Sequence, residues 1–422
     1  MEQKRLCPFC MEALPSAATV CPHCGKILEG CNPAGCLPVG TVLAGRYTVG
    51  EMRSLDGEGV LYSGVENLGA FRVTIKEYLP VTLSAERGAD CILRPKQGSE
   101  VLFKTTRMDF ADLYRAIQRI TPASGLEAVL DVVEANNTVY AVLENLGGTP
   151  LEQWLENRPA PVRAEDACAM LRPVFEGVAA MHKAGLVHRG ICPENIRVMA
   201  DGRCRLAGYA TVGLRTAGSG LHEQLYEGYS APEQYTTAEF EGRYTDEYSL
   251  AAVFYRMVCG QAPMPAAQRV ASDSNPRART VEPAVPAYVS DVLQLGLRLK
   301  VMERIQTVPQ LYQALSSKEY TAELTRTMKP ETPMHPARTE QSGQGREHLL
   351  SLKGLLAGIL ILLSILILLT LWGIVSSKEE QTPSSEPSSE AASSEAVPPQ
   401  NLVPNFVGID YEQIKNNREY TS

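Results

Sequence analysis

Four cysteines near the N-terminus carry the clearest chemical signal in this chain of 422 residues. Cys7-Pro-Phe-Cys10 and Cys21-Pro-His-Cys24 are two C-x-x-C turns, and each short turn can aim two thiolates at one tetrahedral ion. Four soft sulfur ligands suit Zn2+. Iron can share the ligand set, so zinc rests on base rates as well as on softness. His23 sits inside a complete turn and reads as a turn residue rather than a fifth ligand. Cys31 and Cys36, spaced C-x4-C, are accessory ligands or incidental small residues, with the incidental reading favoured.

The elements that position these groups follow from composition. The chain has 44% hydrophobic and 21% charged residues, ordinary for a folded protein. Forty Lys+Arg against forty-eight Asp+Glu give a net charge of −8, which argues against a general grip on nucleic acid. Six of the eleven cysteines crowd into the first 36 residues, a pattern of metal ligation rather than disulfide stapling. With Gly25 after its second turn, segment 1–36 resembles the short zinc ribbons at the N-termini of bacterial proteins, and a unit so small depends on its metal for its fold.

Gly354 to Val375 is an uncharged stretch of 22 residues, about 33 Å long as a helix against a hydrocarbon core of about 30 Å, and is expected to cross a membrane once. Arg338, Arg346 and Lys353 precede it, and Lys378 beside Glu379 and Glu380 follows, so the N-terminal side is expected in the cytoplasm of a plasma (inner) membrane protein. Segment 318–353 reads as a juxtamembrane linker and 376–400 as a Ser/Glu/Pro-rich stalk outside, unable to bury enough apolar surface to order itself. Segment 401–422, with VPNFVGIDYEQIKNN, resembles the opening strand and helix of a PASTA repeat.

Segment 46–317 has strand-like alternation first, in Arg46-Tyr-Thr-Val-Gly50, Gly59-Val-Leu-Tyr62 and Phe71-Arg-Val-Thr-Ile-Lys76. Helical periodicity follows, with Ala167, Met170, Leu171, Val174, Val178 and Met181 on one face despite Pro173. Strands then helices predict an α+β domain. Ordered motifs then make it resemble a protein kinase of the bacterial membrane-anchored Ser/Thr type. Val73-Thr-Ile-Lys76 stands for V-A-I-K, Glu144-Asn-Leu-Gly-Gly-Thr for the hinge, His188-Arg-Gly-Ile-Cys-Pro-Glu-Asn195 for H-R-D-x-x-x-x-N, and Ala231-Pro-Glu233 for A-P-E. Asp246 and Arg304 are similar to the buried helix aspartate and to the arginine that ties the A-P-E glutamate. The resemblance implies two lobes around an ATP cleft.

The departures from that pattern concern charge. Gly190 replaces the catalytic aspartate, and Gly208-Tyr-Ala replaces D-F-G with its metal-binding carboxylate. Ser54 and Asp56 fall where the first two glycines of the phosphate loop belong, Asp56 being placed to repel phosphate. The helix glutamate expected to pair with Lys76 falls at Leu113, with Asp112 on another face, so Lys76 is expected to have lost its partner. Glu194 and Asp201 are the nearby carboxylates that would have to substitute, and they read better as a polar neighbour of Asn195 and a solvated turn. Thr211, Thr216 and Ser219 fall in the segment corresponding to an activation loop. No catalytic residue is assigned. A degenerate nucleotide site is left at Gly57, Gly59, Lys76 and Asn195, compatible with ATP without Mg2+. The expectation is a pseudokinase with protein partners at the cytoplasmic face, an active kinase or envelope machinery among them, besides membrane lipid and with no nucleic acid. The alternatives are an atypical active Ser/Thr kinase, or an inert kinase fold whose function lies in the ribbon or the outer tail.

Overall fold

The structure is a computed structural model, and it describes residues 7, 9–15, 18–27, 32–120 and 125–327. Cys31, most of the linker, the apolar segment 354–375, the stalk and the PASTA-like segment lie outside the described residues. Among the described residues no helix is long and apolar enough to cross a membrane.

The N-terminal lobe is built on β1 (Val42–Leu43), β2 (Tyr47–Leu55), β3 (Gly59–Glu66), β4 (Phe71–Tyr78), the hairpin β5 (Ser84–Arg87) and β6 (Leu93–Pro95), helix α1 (Glu100–Ile120), β7 (Val129–Ala135) and β8 (Thr138–Glu144). The main sheet is antiparallel in the order β1-β2-β3-β4-β8-β7. Val73 and Ile75 of β4 point into the core while Phe71 at its start is half-exposed. Asn136 and Asn137 take φ of 55° and 57°, the left-handed pair that a two-residue hairpin turn between β7 and β8 requires.

The C-terminal lobe adds β9 (Thr149–Pro150), α2 (Leu151–Glu156), α3 (Ala164–Lys183), β10 (Ile196–Val198), β11 (Cys204–Leu206), α4 (Val212–Arg215), α5 (Arg243–Cys259), α6 (Ala266–Arg269), α7 (Ala278–Val281), α8 (Ala287–Gly296), α9 (Val308–Ser316) and α10 (Lys318–Thr327). Helix α3 buries the face expected from its periodicity and contains Pro173. Gly125 lies against that proline: a Cβ there would come within 1.7 Å of the Pro173 carbonyl oxygen, so no side chain fits. Helix α5 is buried on every side, the mark of a central core helix, and Gly260 at φ 73° ends it. The folded part continues past Ser317, because α10 places Thr321 in the interior with its hydroxyl on the Ala314 carbonyl at 2.7 Å.

The cysteine segment lies against the strands of the N-terminal lobe. Lys26 reaches Glu51 at 3.4 Å, the Arg53 guanidinium donates to the Phe9 carbonyl at 3.3 Å, and Arg72 pairs with Glu12. Asn32 fastens the connection, donating to the Leu37 and Gly50 carbonyls at 2.8 and 3.0 Å and accepting from the Met52 amide at 2.8 Å.

Candidate functional site

A cavity of about 500 Å³ opens between the lobes, lined by residues of β2 to β4, α1, the stretch after β8, and the loops around Asn195, Gly208 and Arg215. Lys76 sits at its inner wall on β4, almost wholly buried. The lysine has not lost its partner, contrary to the sequence expectation. Its Nζ donates to Glu58 Oε1 at 2.7 Å and lies 3.5 Å from Asp56 Oδ2. Both acids come from the turn between β2 and β3. On α1 the rings of Phe110 and Tyr114 face the ammonium instead, at 5.9 and 6.0 Å, while Asp112 points outward to Arg115. Burial works against the charge on Lys76, but Asp56 and Glu58 overcome it and hold the ammonium above its ordinary range.

The same turn fills its own phosphate cradle. Asp56 Oδ1 accepts the backbone N–H of Glu58 at 2.9 Å and of Gly59 at 2.7 Å, the loop amides that a phosphate would otherwise take. Burial opposes the Asp56 carboxylate, yet Lys76 and these amides hold its carboxyl below the usual range. Glu58 Oε2 also accepts the amide and hydroxyl of Thr211 at 2.8 and 2.5 Å, tying the turn to the C-terminal lobe. Gly57 packs so tightly beneath that a Cβ would come within 1.7 Å of the His222 carbonyl oxygen, and Gly59 is held as closely against the Glu77 carbonyl, at 2.0 Å.

At the C-terminal side, the two glycines that replace carboxylates are occupied by other chemistry. A Cβ on Gly190 would meet the Arg215 guanidinium at 2.9 Å, and one on Gly208 would meet Asn195 Cγ at 2.4 Å. Arg215 donates to the Gly208 carbonyl at 3.0 Å and to the Tyr226 hydroxyl at 2.9 Å. Asn195 donates to the Gly190 carbonyl at 2.7 Å and to Tyr226 at 3.1 Å. These residues do not fit a divalent ion clamped between carboxylates: the expected positions offer a guanidinium and an amide. Asp201 caps the Arg203 amide in an exposed turn at 3.0 Å, and Glu194 is exposed, as their plainer readings hold. The hydroxyls of Thr211, Thr216 and Ser219 are bonded to Glu58, Glu241 and the Gly213 carbonyl.

The scaffolding beneath is intact. Asp246 accepts the backbone N–H of His188 and Arg189 at 2.8 and 2.7 Å and bonds His182 at 2.8 Å, holding Arg189 at φ 62°. His188 and Tyr209 pack between the lobes with ring centres 5.5 Å apart. Arg304 grips Glu233 through two bonds of 2.8 Å, both side chains fully buried. At the hinge, the Leu146 amide donates to the Glu144 carbonyl at 2.9 Å, so these two backbone groups satisfy each other.

The four cysteines converge as their spacing predicts. The Sγ atoms of Cys7, Cys10, Cys21 and Cys24 all lie within 4.8 Å of one another. Cys7 to Cys24 is 3.7 Å and Cys10 to Cys21 is 3.6 Å, close to the roughly 3.8 Å edge of a tetrahedron with Zn–S bonds of about 2.3 Å. Each turn is followed by a left-handed residue, Met11 at φ 56° and Gly25 at φ 70°. The Cys10 and His23 amides donate to Cys7 and Cys21 sulfurs at 3.5 and 3.4 Å, the second-sphere bonds that steady thiolate ligands. The donor set fits zinc. Cys36 stays apart, its thiol on Met52.

A two-lobed fold with this lysine, hinge and catalytic-loop scaffold is that of a protein kinase. The chain is protein-kinase-like, with bacterial serine/threonine kinases among its relatives: residues 115–313 match the family model for the protein kinase domain. The match begins inside α1, leaving outside it the β2–β3 turn with Asp56 and Glu58 and the strand β4 with Lys76. The chain is 34% identical over 190 residues to serine/threonine-protein kinase PknL of Mycobacterium tuberculosis, covering 42% of this chain and 46% of PknL. It is 25% identical over 327 residues to serine/threonine-protein kinase Pkn1 of Myxococcus xanthus, covering 73% of this chain and 43% of Pkn1. The chain thus spans about half the length of the curated relatives it matches. Among solved structures, PpkA-294 in its apo form superposes with a TM-score of 0.56 at 23% identity, over 67% of this chain and all of that one, a likeness of fold.

Motif reading missed Glu58 and Arg215. Two acids within Asp56-Gly-Glu58 were a signal for the first. Arg215, at the end of α4, reaches the site only through tertiary packing and had no usable one.

Proposed function

We propose that this chain is a pseudokinase, a kinase-fold membrane protein that acts as a scaffold or allosteric regulator in bacterial envelope signalling rather than by transferring phosphate. One observation carries the reading: Asp56 and Glu58 take up the phosphate-loop amides and the Lys76 ammonium, the groups an ATP phosphate needs. Glycine at 190 and 208 agrees with it, since metal-assisted phosphoryl transfer depends on charge placed at those points. The four-cysteine unit would hold a structural Zn2+. Its partners are proteins at the cytoplasmic face, an active kinase or envelope machinery. The apolar segment 354–375 supports a single crossing of the plasma membrane, with the N-terminus inside and a short tail outside.

A second reading, an atypical Ser/Thr kinase, is favoured by the comparisons, because the relatives carry serine/threonine-protein kinase names. Labelled phosphate from ATP and Mg2+, offered to the full chain with and without a generic acceptor protein, separates the two. The pseudokinase reading expects no incorporation above that of Lys76→Met. Incorporation abolished by Lys76→Met establishes the kinase.

A further inference from the structure

Strand β2 departs from regular pairing in its middle. Its register with β3 shifts between Val49 and Met52 and again between Met52 and Ser54, so Gly50, Glu51 and Arg53 have no counterpart across the pair. A strand interrupted in this way needs other partners for its polar groups. Here they come from the cysteine side. Asn32 accepts the Met52 amide and takes the Gly50 carbonyl, Lys26 pairs with Glu51, the Cys36 thiol meets Met52 Sδ at 3.7 Å, and Arg53 donates to the Phe9 carbonyl. The Lys26 ammonium also lies 4.5 Å over the Phe9 ring, so one cation joins both C-x-x-C turns to β2. Arg53 stands just before the turn that holds Lys76, and Arg72, the partner of Glu12, shares β4 with Lys76 itself.

Singly, these side-chain ties hold little. The Lys26 and Arg72 side chains are 55% and 45% exposed, and pairs of that kind give back most of their attraction as lost rotamer freedom. They act together only if the two cysteine turns form one rigid body. Among the described residues the segment's own core amounts to Cys7, Leu14 and Cys21 with Phe9 and Cys10 packed on them, too little to fix it unless a metal joins the four thiolates.

We propose that the metal-loaded cysteine unit clamps the irregular part of β2 and so keeps the Asp56–Glu58 turn closed on Lys76, and that emptying the unit opens the turn and frees the lysine. The state of the cleft thereby follows the supply of zinc. The inference rests on the reading of the four cysteines as a zinc site and is independent of whether the chain transfers phosphate.

The test is amide exchange read by mass spectrometry on the full chain in detergent, first zinc-loaded, then treated with a zinc chelator, then reloaded with Zn2+, with acetylation of Lys76 by acetic anhydride measured on the same samples. Removing the metal is expected to speed exchange in 54–61 at least about tenfold and Lys76 acetylation by a similar factor, while α5 stays protected and reloading restores both. The triple variant Glu51→Gln, Arg53→Gln and Arg72→Gln cuts the ties on the strand side and leaves 7–27 unaltered. It is expected to keep its zinc while its turn exchanges, and its Lys76 is acetylated, as fast with the metal as without. Exchange in 54–61 or Lys76 acetylation unchanged by zinc removal, loss of protection in α5 together with the turn, or a native response of the triple variant overturns the clamp and leaves the zinc site standing. A purified chain that neither contains nor takes up zinc overturns both. Where the triple variant does not fold, the chelation and reloading series on the native protein decides.

Discussion

Glu58 is the residue on which the candidate site turns, and its role became visible only when the turn geometry brought it to Lys76. A buried lysine without a countercharge is unstable, so Glu58→Ala is expected to destabilise the protein by about 3 kcal/mol, less whatever Asp56 recovers, as a fall in thermal midpoint. An unchanged midpoint would mean that Asp56 alone suffices. Gly208→Asp restores the missing carboxylate type but at φ 82° and with its Cβ 2.4 Å from Asn195. It is expected to cost about 1 to 3 kcal/mol and to gain no phosphate transfer, and Mg2+-dependent incorporation by that variant would count against the site as described. Two buried groups set the pH response. Burial, opposed by Asp246, lowers His188 to about 4, whereas its unfolded imidazole titrates near about 6.5. Its stabilising contribution is therefore complete above about 6.5 and is lost as pH falls toward 4. Burial, reinforced by Asp246, raises Glu247 to about 8, and neither of its oxygens has a hydrogen-bond partner among the described residues. That contribution is complete below the unfolded value of about 4.3 and is lost as pH rises through 8. The two windows overlap between about 4.3 and 6.5, where the opposite slopes offset, so thermal midpoints should be level there and fall on either side, and Glu247→Gln should flatten the alkaline side. Lys76, Asn195, Glu233 and the four ligand cysteines were legible because their motifs are local. Arg215, at the end of α4, reaches the site only through tertiary packing and was not.

Among the elements, those with a strong period were legible and those held by tertiary contact were not. Helix α3 declares its apolar face in sequence, whereas the close packing of Gly125 on the Pro173 carbonyl is a tertiary contact. Helix α10 is polar enough to read as linker, and only Thr321 and its neighbours reveal that it docks. The cysteine turns are legible as a ligand set, whereas their seat on the strands through Lys26, Arg53 and Arg72 is not. Metal analysis of the purified chain is expected to give one zinc per molecule, and Cys10→Ser less than half of that. Chelation should raise amide exchange in 7–27 while α5 stays protected, since the segment has little core of its own. Exchange that does not change on chelation would show that the contacts to β2 and β4 hold the segment without metal.

For the whole molecule, the order of strands before helices gave the α+β class, and the motif order gave two lobes. The charge pattern around 354–375 gives a further expectation. Deleting 354–375 should move the protein from the membrane to the soluble fraction, and a tag placed after Ser422 should be cleaved by protease added outside intact cells stripped of their wall. Retention in the membrane after the deletion would point to a different anchor. The tie from Glu58 to both Lys76 and Thr211 bears on how such a molecule would behave in a living cell. A carboxylate carried on the same chain competes at an effective concentration of order millimolar or above, without diffusing away. Free nucleotide triphosphate must displace it to be felt, so the conformation of this domain would be insulated from swings in cellular energy charge, and the timing of its signal would come from its partners rather than from metabolism.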